Sequence, residues 1–256
     1  LFSESYKVRL QKIIEYIYNF TDMLGNYPNY GDDDDGRVII FEYDAESYNN
    51  FKSIITSGWL LFGDDRYLTK SYLTSDVKNM ILFGPKQYEK LNNKSIPHPE
   101  VHSSFYPKEG HFISKFTNKK FDEIYIHFDA APLGYLSIAA HGHADALSFL
   151  LKVDGQEVFA DPGTYTYHTE EEWRQYFIST LAHNTLLINH QNQATNGGPT
   201  LWLKHYRTFV HHAECSTEQD IIDSSHNGYE DTGVIHRRKM IIDKKNAIVT
   251  IEDAIQ

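Results

Sequence analysis

The chain has little sulfur and no long apolar run, and each shortage excludes a class of protein. Its single cysteine, Cys215, excludes a disulfide framework within the chain. No apolar stretch approaches the length of a membrane span, and no signal-peptide pattern is present. The chain starts without methionine and both ends fall within patterned sequence, so we expect a fragment of a longer protein.

Basic residues are also scarce. Lysine and arginine total 24 against 35 acidic residues, which gives a net charge of -11. A nucleic-acid surface needs a basic excess, so this balance argues against a nucleic-acid partner. An anionic polymer would likewise need a locally positive cleft. The candidates for that charge are Arg174, Lys204, Arg207, Arg237, Arg238 and a bound metal ion.

The first part of the chain has helical periodicity. Apolar residues recur at helical spacing between residues 5 and 24, including Leu10, Ile13, Ile14 and Ile17. Ser3 or Ser5 can cap this helix and Gly25 can end it. Further helices are predicted over residues 47–57, part of 60–73, and 75–82.

An acidic segment from Gly31 to Arg37 carries four consecutive aspartates. It half-matches a calcium loop of the EF-hand type, with Gly36 at the turn and Glu42 at the closing position. Gly31 would occupy the first ligand position and has no side chain to offer. We therefore interpret the segment as a solvated acidic loop between helices.

The period changes to two after a proline-rich, non-periodic stretch over residues 92–107, which we interpret as a linker ending near Lys108. Asp154-Gly155 is a strong hairpin signal, and residues 243–246 give a weaker one. His127 is predicted to be a strand histidine rather than a ligand. The predicted strands cover residues 110–117, 121–129, 147–153, 157–160, 184–188, 208–214, 234–242 and 247–251. Many short strands with such turns indicate a β-sandwich.

Three groups between residues 141 and 189 have the chemistry of a zinc site: His143, Asp161 and His183. Each candidate lies where a loop meets a predicted element, and sites are often built at such places. His141 lies two positions before His143. In an extended segment the two rings would point to opposite faces, so that one could bind metal while the other faces a cleft.

The region from Glu109 to Gln193 resembles the heparinase II/III-like family of polysaccharide lyases. The matching motifs are G-H-F-I-S-K-F, A-P-L-G, A-H-G-H-A-D-A-L-S-F, D-P-G-T-Y-T-Y and W-R-x-Y-F-x-S-T-x-A-H-N-T, in this order. The resemblance implies an α+β multidomain protein, with the last helices of an α/α toroid over residues 1–108. An antiparallel β-sandwich would begin at residue 109 and occupy residues 109–256.

The resemblance also implies roles for individual residues. His141 would be the catalytic histidine, acting as base or proton shuttle, and His143, Asp161 and His183 would hold a structural zinc ion. The substrate would be an acidic, uronate-containing polysaccharide such as a glycosaminoglycan or alginate, cleaved by β-elimination. A periplasmic or secreted location is implied as well. The toroid asparagine or histidine and the tyrosine of such sites are expected outside this chain.

Three further residues are candidate substrate contacts: Tyr165, Tyr167 and Arg174. The tyrosines follow Asp161 closely, and packing beside the metal loop is the alternative for both. Arg174 suits a substrate carboxylate or sulfate, but an internal salt bridge fits equally well.

Two other functions remain open from the sequence. One is a non-catalytic carbohydrate-binding or structural sandwich that keeps the metal. The other is a hydrolytic zinc enzyme, in which the metal holds a reactive water. Hydrolysis would need a general-base carboxylate beside the metal, and Asp145 is the only near candidate.

Overall fold

The computed structural model describes residues 2–33, 48–73, 76–97 and 100–256, without the side chain of Asn92. The chain forms two compact units. One consists of Leu1–Pro28 and Asp35–Val101, and the other of Asn29–Asp34 and His102–Gln256. The second unit therefore begins six residues before the predicted boundary near Lys108, and it includes a short piece of the acidic segment.

The first unit is helical, as predicted. Its helices are α1 (Glu4–Phe20), α2 (Asn50–Phe62), α3 (Val77–Phe83) and α4 (Pro85–Tyr88), with a 3-10 turn over Asp65–Lys70. Ser3 caps α1 by accepting a hydrogen bond from the backbone of Tyr6. Helix α1 ends before the predicted limit because Thr21 adopts an extended conformation and Lys70 donates to the carbonyls of Tyr18 and Thr21.

The second unit begins with a five-stranded antiparallel sheet in sequence order. Its strands are β1 (Ser104–Tyr106), β2 (His111–Phe116), β3 (Ile124–Asp129), β4 (Phe149–Val153) and β5 (Gln156–Phe159). The hairpin predicted at Asp154-Gly155 is confirmed: both residues have positive φ, which suits a two-residue turn with right-handed twist. Strand β1 lies inside the predicted linker, where three residues pair with β2.

A short helix and a two-stranded hairpin follow: α5 (Glu171–Phe177), β6 (Thr195–Gly198) and β7 (Leu201–Lys204). The chain then forms a four-stranded antiparallel sheet. Its strands are β8 (Thr208–Cys215), β9 (Gln219–His226), β10 (His236–Asp243) and β11 (Ile248–Ile255). Alternate residues of β10 are buried, as a strand with one face in a core requires.

The two larger sheets share one apolar core, which makes this unit the predicted β-sandwich. Buried side chains of β2 and β3 contact those of β9 and β10. The buried members on these four strands are Phe112, Phe116, Ile124, Ile126, Phe128, Ile222, Met240 and Ile242. His127 is a strand histidine, as predicted; it is buried, and its ring hydrogen-bonds that of His111.

Some sequence predictions were wrong. Residues 184–188 form no strand, because Asn184 bonds the carbonyls of Phe149 and Ala160 and the segment contributes only one isolated bridge, at Ile188. Strand β9 was missed because polar residues occupy most of its positions. Among the described helices, none combines the length and apolarity needed to cross a bilayer.

One arginine of β10 connects this sheet to the loops around the candidate metal ligands. Arg238 is buried and forms a bidentate ion pair with Asp253 at 2.8 and 2.9 Å. It also donates to the carbonyls of Leu147, at 2.8 Å, and Asn184, at 2.7 Å. Burial raises the pKa of Asp253, but hydrogen bonds from His236 and Arg238 outweigh it and leave that pKa below its ordinary value. Arg238 thus fixes two loops relative to the sheet.

Replacing Arg238 with methionine should destabilise the sandwich by roughly 2–4 kcal/mol, because two carbonyls lose this donor and Asp253 keeps only His236. Urea unfolding at neutral pH measures this change. Because the folded pKa of Asp253 is depressed, its contribution is present above the unfolded pKa and lost as pH falls through the folded pKa. Arg238→Met should therefore lose less stability than the wild type on acidification below about pH 4.

Arg237→Met is the matched control. Arg237 forms a bidentate pair with Asp223 from the neighbouring position of the same strand, but its side chain is 39% exposed. Its loss should cost less than the loss of Arg238, since water screens exposed pairs. Equal losses of stability in the two variants would contradict the conclusion that Arg238 fixes the two loops relative to the sheet.

Candidate metal centre

Three of the predicted site residues converge in the sandwich unit. His143, Asp161 and His183 place one ligand atom each within 4.8 Å of one another. The facing nitrogens, Nδ1 of His143 and Nε2 of His183, are 3.2 Å apart, and Nε2 of His183 is 3.4 Å from Asp161 Oδ2. No other described residues form such a group of histidine, cysteine and carboxylate ligands.

The loop that carries His143 is held from several sides. The indole of Trp202 donates to the carbonyl of Gly142 at 2.8 Å, and the hydroxyl of Tyr206 donates to the carbonyl of His143 at 3.3 Å. Gly142 packs directly on the backbone of Gly134, where a Cβ would come within 2.5 Å of the Gly134 nitrogen. Any other residue at position 142 would force this loop apart.

The outer nitrogens of the two imidazoles fix where their hydrogens lie. His183 Nδ1 is 2.7 Å from the carbonyl oxygen of Ser179, which can only accept, so this nitrogen carries the hydrogen. His143 Nε2 is 2.9 Å from Asp32 Oδ1. An ionised Asp32 can also only accept, so Nε2 of His143 carries a hydrogen. When both imidazoles are neutral, the two nitrogens that face each other therefore present lone pairs, and a cation between them would satisfy both.

The ionisation states of the triad also suit a metal. Burial lowers the pKa of His183 to about 3, so its imidazole is neutral at neutral pH. Burial raises the pKa of Asp161 to about 6 despite the opposing effect of His143, which still leaves the carboxylate mainly ionised at pH 7. Neutral imidazole and ionised carboxylate are the forms that bind metal ions.

Asp32 is the site residue that the sequence analysis missed. The predicted solvated loop is wrong at this position, because the Asp32 side chain is fully buried. It forms a bidentate ion pair with Arg174, with Nη2 2.6 Å from Oδ2, and accepts from His143. Burial raises the pKa of Asp32, but hydrogen bonds from His143 and Arg174 outweigh it and keep that pKa below its ordinary value. The half-matched calcium positions Gly36 and Glu42 lie outside the described residues.

His141 lies at the surface beside the triad. Its side chain is 45% exposed, and its Nδ1 is 3.3 Å from Asp32 Oδ2. The two side chains differ in exposure, since that of His143 is fully buried, but the extended backbone assumed for this segment is wrong. His141 has a φ of 60°, in the left-handed region, which lets both histidines contact one carboxylate.

The three candidate substrate contacts differ in their surroundings. Arg174 is 2% exposed and bonds Asp32 and the carbonyl of Pro199, so the internal salt bridge is the alternative that the structure shows. Tyr167 lies beneath this guanidinium, with its hydroxyl 3.4 Å from His141 Nδ1. Tyr165 is 59% exposed and stacks on Phe177.

Four of the cations named from the sequence do not supply the positive cleft expected for an anionic polymer. Among the described residues, Arg174, Lys204, Arg237 and Arg238 each pair with an aspartate. Their charge is largely neutralised locally, and Arg174 and Arg238 are buried as well.

Comparisons with known proteins identify relatives of this chain. Residues 102–256 match the family model described as heparinase II/III-like, C-terminal. A heparinase III, the BT4657 gene product, has a TM-score of 0.66 at 18% identity, and the match covers 100% of this chain and 33% of that one. Heparan sulfate lyase HepC from Pedobacter heparinus has a TM-score of 0.63 at 17% identity, and the match covers 95% of this chain and 32% of that one.

These likenesses confirm a fold of helices followed by an antiparallel sandwich. The chain spans about a third of the length of either structure. A search of the curated proteins finds no match.

Replacing His143 with alanine should abolish metal binding, because it removes one of three converging ligands. Elemental analysis of the purified protein should find about one divalent metal ion per chain in the wild type and none in His143→Ala. His212→Ala, which removes an exposed histidine of β8, is the control and should retain the metal. Equal metal content in all three proteins would rule out the triad as the binding site.

Proposed function

Because the chain belongs to the heparinase II/III-like family, we propose that it is part of a polysaccharide lyase that cleaves uronate-containing polysaccharides by β-elimination. The family model covers more than half of the chain. Two of the structures that resemble it are named heparinase III and heparan sulfate lyase. A glycosaminoglycan or alginate is the proposed substrate class, and the helices of the first unit are proposed to be the last of an α/α toroid.

The observation that carries the proposal is the position of His141. Its imidazole is the exposed member of a histidine pair whose other member is buried in the triad. The ring therefore faces outward from a loop that is fixed at its base. A general base needs this combination of access and restraint.

Elimination from a uronate breaks two bonds and needs no water. A base removes the proton from C5, the electrons of that bond form the C4–C5 double bond, and the C4–oxygen bond breaks. The leaving oxygen then takes a proton from an acid. His141 is proposed to take the C5 proton or to relay it, while residues outside this chain neutralise the substrate carboxylate.

Zinc is the proposed occupant of the triad, held by His143 Nδ1, Asp161 Oδ2 and His183 Nε2. Bound there, the ion would supply a fixed positive charge that ties together the loops around His141. Nitrogen and carboxylate donors in a set of three suit zinc.

Hydrolysis is less compatible with the surroundings of Asp145. This carboxyl is buried, and its Oδ1 lies 3.2 Å from the hydroxyl oxygen of Tyr206. Burial, reinforced by nearby carboxylates, raises its pKa well above the ordinary value and so favours the protonated form. A protonated carboxyl cannot take a proton from water.

Replacing His141 with alanine in the full-length protein should lower turnover by about 10²–10⁴-fold, the usual contribution of a positioned base. The assay is ultraviolet detection of unsaturated products from heparan sulfate and alginate. Metal content should stay unchanged, because His141 is not a member of the triad. His212→Ala again serves as the control.

Other outcomes would select the alternatives. Binding without products in the wild type and in His141→Ala would indicate a non-catalytic sandwich. Saturated products would indicate hydrolysis. Full activity in His141→Ala would remove His141 from the mechanism.

A further inference from the structure

One carboxylate contacts both histidines of the His141-Gly142-His143 segment. Asp32 Oδ1 lies 2.9 Å from His143 Nε2, and Asp32 Oδ2 lies 3.3 Å from His141 Nδ1. The backbone reinforces this contact, because the amide of Asp32 donates to the carbonyl of His141 at 2.9 Å. The exposed histidine and the buried one are thus oriented by the same group.

Arg174 holds this carboxylate in its ionised form. Its guanidinium binds both oxygens of Asp32, and its Nε donates to the carbonyl of Pro199 at 2.9 Å. A buried carboxyl without such a partner would take up a proton and could then donate. With Arg174 in place, Asp32 can only accept hydrogen bonds.

A second acceptor faces the same nitrogen of His141. The hydroxyl oxygen of Tyr167 is 3.4 Å from His141 Nδ1, and this hydroxyl donates its hydrogen to the carbonyl of Asp33 at 3.2 Å. The Tyr167 ring is also positioned by the Arg174 guanidinium, 4.9 Å from its centroid. The Asp32 carboxylate can only accept, and the Tyr167 oxygen accepts while its hydrogen is donated to Asp33, so both neighbours favour a hydrogen on Nδ1 of His141.

We infer that Asp32 is a positioning residue that fixes His141 as the Nδ1–H tautomer and orients His143 in the same contact. A neutral imidazole carries one ring hydrogen, so Nε2 of His141 then presents a lone pair. Nε2 is the atom that would accept the C5 proton. This role of Nε2 rests on the proposed function, whereas the tautomer follows from the contacts of His141 and does not depend on that function.

The direct test is nitrogen-15 NMR of the full-length, zinc-loaded protein with labelled histidine. The His141 signals are assigned by their loss in His141→Gln. The wild type should show His141 with hydrogen on Nδ1 and an unprotonated Nε2. A predominant Nε2–H tautomer in the wild type would overturn the inference. Because this measurement is made on the wild type, it does not depend on whether an Asp32 variant folds.

Asp32→Asn provides the second test. Oδ1 receives hydrogen bonds from both His143 and Arg174, whereas Oδ2 receives one, from Arg174. The amide oxygen should therefore take the Oδ1 position, and the amide nitrogen should face His141. That nitrogen donates, so the His141 tautomer should shift toward Nε2–H. Zinc affinity, measured by chelator competition, should fall by about 10–100-fold because His143 loses a charged partner.

Two controls separate this effect from a general loss of structure. Tyr167→Phe removes the second acceptor but keeps Asp32, so His141 should remain mainly Nδ1–H. Asp122→Asn removes an exposed acid elsewhere in the same unit and should change neither measurement. An unchanged tautomer in Asp32→Asn would contradict the role of Asp32.

The two proposals can fail separately. A tautomer shift in Asp32→Asn together with full turnover in His141→Ala would keep the positioning role of Asp32 and reject the catalytic role of His141. If both hold, Asp32→Asn should lower kcat more than it changes KM, because no contact to the substrate is removed.

Discussion

The ion pair between Asp32 and Arg174 is the interaction on which the site depends. It brings a buried negative charge into a unit whose other nearby carboxyls, such as Asp145, are disfavoured as anions by burial. Two buried charges are tolerated because they satisfy each other with two parallel hydrogen bonds. Asp32 contacts one ring nitrogen of each histidine, and the other ring nitrogen of His143 faces His183 in the triad.

The sandwich supplies the rigid frame for this arrangement. Sheet-to-sheet packing leaves the strands little freedom, and Arg238 extends that rigidity to the loops by bonding the carbonyls of Leu147 and Asn184. Loops restrained at several points can keep a residue such as His141 in a left-handed conformation, which an unsupported chain would leave. The geometry of the site is therefore a property of the sheets as well as of the ligands.

The sequence was most informative where local rules decide the structure. The period-two pattern located β3, Asp154-Gly155 located a hairpin, and the ligand chemistry of His143, Asp161 and His183 located the triad. It could not identify Asp32 among four consecutive aspartates, since burial of one of them depends on contacts with Arg174, 142 positions away. For the same reason, the choice between substrate contact and internal salt bridge for Arg174 needed the fold.

Asn29–Asp34 belongs to the sandwich unit although it lies far from the rest of that unit in sequence. This discontinuity limits how such a module can be exchanged between proteins. A recombination event near the start of the sandwich would transfer the three triad residues and leave Asp32 behind, which would strand Arg174 without its counter-charge. A recombined protein therefore keeps the complete site only if both segments are transferred. Truncation at the start of the sandwich strands would remove Asp32 from the site.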